Sequence, residues 1–194
     1  MRQQPPGSTM GRWQSRWSTI PAANRRWILI NALGVTAVIN VVVNLTIAWL
    51  GTRGARVVPL WSTPLVRPST ISDTVGTTFM LPFVTSLTCG AAVTREMRLG
   101  KILPLPHQCH GWDLFNRLPR NAASRALRLA LVTLVTVSPL TLLTLVLMRF
   151  GTVSVASFLI FKVAYAVSLG LVVTPVIALT AMSREEPTLR RRVA

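Results

Sequence analysis

His107, Gln108, Cys109 and His110 run in succession, with Asp113 three residues further on. Imidazole and thiolate are ligand types suited to zinc or copper, and the run supplies three of the four donors of a tetrahedral site. The spacing argues against one. Adjacent Cys109 and His110 do not project to one point on a regular helix, and the paired-Cys and paired-His spacings of zinc modules are missing. The run reads as a polar loop; no metal or other cofactor is expected. Cys89 and Cys109 fall at the reducing side of the chain, so no structural disulfide is expected either.

Lys162 brings a different chemistry, a cation inside a long apolar stretch. Counted from the turn after Arg149, it lies about 13–15 Å down a helix rising 1.5 Å per residue. A charge at that depth is costly and points by default to a functional site or a partner. No acidic residue lies at the same depth, since Asp73, the nearest, begins another stretch close to the surface. Asn40 and Asn44 are better matched, about 13 and 8 Å below Trp49 by the same rise. With Thr77 or Thr78 they make one half of the molecule mildly polar. The candidate solute-contacting set is therefore Lys162, Asn40, Asn44, Asp73 and Thr77. Against it stands a structural reading. Threonine hydroxyls bond their own backbone, asparagines join helices, and lysine stems stretch toward water.

Other chemistries lack their residues. There is no phosphate-binding glycine motif, no paired intramembrane carboxylate and no metalloprotease His-Glu pair. No Ser or Cys has an evident base beside it, and five acidic residues leave little for acid–base catalysis. The chain is expected not to be an enzyme. A proton-coupled pump would carry Asp, Glu or His within its spans, and only Asp73, at a rim, qualifies.

The elements that must position these residues follow from composition. Of 194 residues, 51% are hydrophobic and 13% charged, against roughly 25% charged in soluble domains. Mean hydropathy is +0.50. The 21 basic and five acidic residues give a net charge of +16, yet so low a total charge excludes a disordered polycation. Four stretches, about 27–50, 74–94, 127–148 and 153–182, meet the length of about 20 apolar residues for crossing a membrane. The alternating pattern of a β-barrel is absent. The first stretch is too long, and too far from the N-terminus, for a cleaved signal.

The predicted fold is all-α, a polytopic four-transmembrane-helix bundle with short interfacial amphipathic segments. A basic segment (1–26) precedes the membrane domain (27–182), and a basic tail (183–194) follows it. Sixteen basic residues flank the spans on one side and four on the other, with Lys162 set apart. Since cytoplasmic loops collect Lys and Arg, both termini should face the cytoplasm. Trp13, Trp17, Trp27 and Trp112 then fall near the inner interface, Trp49 and Trp61 near the outer one. A bacterial inner membrane is the expected location.

Basic, aromatic turns over Met10 to Ile20 and around Trp112, Leu114, Phe115 and Leu118 read as segments resting on anionic lipid. Pro59, Pro64 and Pro68 predict an extended or turning outer loop, ended by Ser72 or Asp73 as a helix cap. A tight turn around Phe150, Gly151 and Thr152 joins the last two spans. Pro82, Pro139 and Pro175 sit inside spans, where each removes a hydrogen bond and favours a kink. No internal repeat supports an inverted-repeat transporter.

Three rows of small or polar residues mark the packing faces. They are Ala32, Thr36, Asn40, Asn44 and Ala48; Thr74, Thr78, Leu81, Thr85, Thr88 and Ala92; and Ala166, Gly170, Thr174 and Ala178. The expected function is helix–helix association, as a homo-oligomer or with a membrane-protein partner, with anionic lipid at the cytoplasmic side. The alternative is a small-solute or anion permease using Lys162, Asn40 and Asn44. Nucleic acid is not an expected partner, because the basic residues flank spans whose orientation already accounts for them.

Overall fold

The computed structural model describes residues 20–62, 69–105, 121–147 and 151–183. The His107–Cys109–His110 run, the Trp112 segment, the tail beyond Ser183 and all but the last residue of the Met10 to Ile20 turn lie outside these. The described chain is helical apart from one small sheet, and four helices are long and apolar enough to cross a membrane: Ala22–Gly51, Thr70–Arg98, Ala122–Leu147 and Val155–Met182.

The first span begins at Pro21, whose carbonyl accepts from Arg25 N–H at 3.0 Å. Helix α1 (Ala22–Trp27) passes into a π-helical stretch (Ile28–Val35) and then into α2 (Thr36–Gly51). The wider register lets Thr36 Oγ1 donate to the carbonyl of Asn31, five residues back, at 3.2 Å. It also changes which residues share a face. Ile28 lies twelve residues before Asn40, so an unbroken α-helix would turn the two about 120° apart. Both are buried, because i→i+5 bonding slows the advance of the face around the axis. The predicted row therefore holds from the end of this stretch onward. Thr36 is half-buried, and Asn40, Asn44 and Ala48 are buried.

Helix α3 (Thr70–Arg98) starts earlier than expected. Ser69, not Ser72 or Asp73, is its N-cap: the Ser69 hydroxyl accepts from Ser72 N–H, and the Ser72 hydroxyl accepts from Ser69 N–H, each at 3.2 Å. This reciprocal pair satisfies two backbone donors at once and outcompetes a later cap. It leaves Asp73 inside the first turn. At the other end Gly100, at φ +71°, allows Lys101 N–H to reach Glu96 O at 3.1 Å and Gly100 N–H to reach Met97 O at 3.0 Å. A Cβ would strain that left-handed turn.

The predicted α3 seam holds for four of its six residues. Thr74, Thr78, Leu81 and Thr85 are buried, but Thr88 and Ala92 are exposed, and the stripe continues through Cys89, Val93 and Met97. The expected row stepped by 3.5 residues, whereas a straight helix drifts about 20° per heptad from that repeat.

Helix α4 (Ala122–Leu147) is capped by Asn121 Oδ1, which accepts from Ala123 N–H at 3.1 Å. Helix α5 (Val155–Met182) is capped by Ser154. The helices run on through Pro82, Pro139 and Pro175.

The connections that lead into α3 and α5 form structure the proline pattern did not predict. Strand β1 (Val57–Pro59) pairs antiparallel with β2 (Thr152–Ser154), Val58 opposite Val153. Val58 packs with Ala48 and Phe158, tying this two-stranded sheet to α2 and α5. Leu60 N–H donates to Gly151 O at 3.0 Å and Ile71 N–H to Leu60 O at 3.1 Å, which seats the sheet on the start of α3.

The spans pack in a row. The first rests on α5, α5 on α3, and α3 on α4, with no extensive contact between the first span and α4 to close a ring. Accordingly 44% of the most apolar window of α3 and 39% of that of α5 are buried, against 18% for the first span and 22% for α4.

At the opposite, basic end, Ile28, Val93, Met97, Ile102, Leu105 and Met182 form a core. Asn24 fastens it. Its Nδ2 donates to Leu103 O at 2.7 Å and its Oδ1 accepts from Leu103 N–H at 3.0 Å. Asn24→Ala should cost about 1–3 kcal/mol, the penalty for stranding buried backbone groups. The check is thermal unfolding in detergent together with hydrogen exchange at the Leu103 amide. Unchanged protection of that amide would refute the clasp.

Candidate functional site

Each predicted polar residue sits on a helix face that already has a neighbour. Asp73 occupies the first turn of α3, where free N–H groups and the helix dipole favour a carboxylate. Lys162 lies two turns into α5, its side chain 3% exposed. The two form an ion pair between Lys162 Nζ and Asp73 Oδ1. The Asp73 side chain is 24% exposed, so the pair has one dry end and one partly open end.

This pairing corrects the depth argument made from the sequence. α5 begins at Val155, which leaves Lys162 about 10 Å below its start, and Asp73 lies about 5 Å below the start of α3 at 1.5 Å per residue. A lysine stem is long enough to span the remaining difference. The cation therefore has its carboxylate partner even though their backbones lie at different levels.

Thr77 is buried one turn along α3 from Asp73. The residue that reaches α5, however, is Thr78, whose Oγ1 lies 2.6 Å from the Tyr165 hydroxyl. Tyr165 stacks with Phe161, ring centroids 5.8 Å apart. Sequence reasoning passed over Tyr165. The available signal was the chain's single tyrosine, three residues after Lys162 and so on the same helical face.

Asn40 and Asn44 belong to the other side of α5. Asn44 Nδ2 donates to the Asn40 carbonyl at 3.0 Å, a bond within its own helix. The Asn40 side chain packs against Gly170, where an added Cβ would collide with the amide. Its Nδ2 has no hydrogen-bond partner. Gly170 is eight residues from Lys162, about 12 Å along α5. Asp73 and Lys162 thus meet between α3 and α5, Thr77 follows one turn along α3, and Asn40 packs on α5 from α2 with Asn44 one turn on. The structure does not bring the five residues to one point.

The remaining hydroxyls behave as ordinary helix residues. Thr46, Thr74, Thr133 and Thr144 each donate to the carbonyl four residues back, at 2.7–2.9 Å. Ser86, Ser138 and Thr174 keep buried hydroxyls without partners. Among the described residues no three His, Cys, Asp or Glu side chains cluster as metal ligands. Chemically, the α3–α5 face can hold a neutralised charge pair and one half-buried phenol. No protein-family model, curated protein or solved structure matches the chain.

Proposed function

We propose that the chain is a non-enzymatic multi-pass membrane protein that acts through helix–helix association, as a subunit of a membrane complex or as an oligomer of identical chains. The observation that carries this reading is the open row of spans. The first span and α4 each have one extensive helical neighbour, so each keeps a flank that no helix of this chain covers. Large apolar side chains line these flanks, among them Val38, Val42, Ile47, Val135, Leu140 and Leu147. The charged pair and two further polar contacts of the interior are made within the chain: Lys162 with Asp73, Thr78 with Tyr165, Asn44 with the Asn40 carbonyl. The distribution of basic residues supports a topology in which the end carrying the small sheet faces outward and both termini face the cytoplasm, and the reading places the chain in a bacterial inner membrane.

Extraction from native membranes in a mild detergent, followed by light scattering and identification of copurifying chains, is the test. A complex much larger than the 21.3 kDa chain is expected. A monodisperse monomer in several detergents would overturn the reading.

A permease for a small solute or anion is the second reading, and the unpartnered Asn40 amide favours it. It requires the Asp73–Lys162 pair to open for solute.

A further inference from the structure

A cleft separates α3 from α4 at the basic end of the molecule, with a volume of about 570 Å³. Leu87, Gly90, Ala91 and Thr94 form one wall, and Arg95, Arg98 and Arg125 line the cleft with guanidinium groups. Arg125 is the unusual member. It stands in the first turn of α4 and is only 9% exposed. Gly90 makes room for it, since a Cβ there would sit 3.3 Å from Arg125 Nη2. Among the described residues no carboxylate pairs with Arg125 or Arg95. An arginine so little exposed, with no carboxylate beside it, carries a desolvation cost, and an anion that reaches its guanidinium through the cleft offsets that cost.

We infer that this cleft binds an anionic phospholipid, its headgroup phosphate held by Arg125 and Arg95 and one acyl chain lying along Leu87 and Ala91. Two features select this ligand. Planar, fork-shaped donors suit phosphate oxygens. The apolar wall runs from Arg95 down to Leu87, eight residues or about 12 Å, and a free phosphate has no use for it. Basic pockets between membrane helices on the cytoplasmic side are recognised headgroup sites. The inference rests on the chain lying in a membrane and is independent of whether it associates with other chains.

The test uses the full-length protein, delipidated in detergent, exposed to equal amounts of phosphatidylglycerol and phosphatidylcholine, and read by native mass spectrometry. Both lipids present a phosphate, but choline adds a cation beside Arg95 and Arg125, so wild type is expected to retain phosphatidylglycerol in preference by about tenfold, the ratio that a like-charge repulsion of about 1.4 kcal/mol sets. Arg125→Gln should abolish the preference. Arg95→Gln, at an exposed position that folding tolerates, should reduce it. Arg26→Gln, exposed on α1 and away from the cleft, should leave it unchanged.

Preference surviving in both cleft variants, or falling equally in Arg26→Gln, would overturn the site. Inorganic phosphate or glycerol 3-phosphate raising the melting temperature as much as phosphatidylglycerol would assign the arginines to a soluble anion and overturn the lipid. Equal retention of both lipids would refute the cleft while sparing the membrane reading. Retention of neither would count against both.

Discussion

Asp73→Asn will destabilise the folded chain far more than Lys162→Met, although both substitutions break the same ion pair. Removing the carboxylate leaves a lysine whose side chain is 3% exposed with no counter-charge. Breaking a buried pair from one side costs about 3–5 kcal/mol, most of it the penalty on the abandoned charge. Removing the ammonium instead leaves Asp73, which is 24% exposed and sits where the N-terminus of α3 supports a negative charge. Methionine fills the lysine's volume with apolar atoms, so this variant should lose about 1 kcal/mol.

The double variant Asp73→Asn/Lys162→Met should recover most of the loss caused by Asp73→Asn alone, because a neutral buried pair carries no desolvation penalty. Reversible unfolding in mixed micelles measures all three. Equal losses in the two single variants, or no recovery in the double, would remove the pair as a structural element. The same proteins in liposomes separate the two functional readings. A solute flux lost in Lys162→Met with stability unchanged would favour transport over association.

That pair also shows where a sequence stops being readable. The four spans are legible because length and hydropathy report directly on the cost of placing polar backbone in lipid. The partner of Lys162 is not, because it depends on the levels at which two helices begin. Those levels are set by a serine capping box at Ser69 and by a three-residue strand before Val155. Each shifts a register by a few residues, and a few residues at 1.5 Å each decide whether a lysine stem reaches a carboxylate.

The π-helical stretch at Ile28–Val35 escapes for a similar reason. Its apolar sequence is equally compatible with either winding, and burial of both Ile28 and Asn40 goes with the wider one. The strand at Val57–Pro59 is too short to alternate visibly and contains a proline, which the sequence reading takes as a breaker; its partner lies more than ninety residues further along the chain. Rows of small residues were the most legible local feature, and Ala166, Gly170, Thr174 and Ala178 are all buried.

Gly170→Ala tests what that row does, because two large effects oppose each other there. In a helix interior, replacing glycine by alanine stabilises by about 1 kcal/mol through backbone entropy alone. Gly76 on α3, exposed and with open space around it, should show that gain. At Gly170 the new Cβ meets the Asn40 amide, and overpacking costs about 1–3 kcal/mol in a close helix contact. The sign of the change is therefore the observable: Gly76→Ala stabilises and Gly170→Ala destabilises.

Asn40→Ala removes the amide that Gly170 accommodates and, with it, a buried donor that has no partner. In that background Gly170→Ala should become neutral or stabilising, giving a coupling of about 1–3 kcal/mol in a double-mutant cycle. Stabilisation by Gly170→Ala in the wild-type background would mean that α2 does not approach α5 through this row. A destabilisation unrelieved by Asn40→Ala would place the obstacle elsewhere. With the predicted coupling, the row is occupied inside one chain, and any association between chains must use the uncovered flanks of the first span and α4.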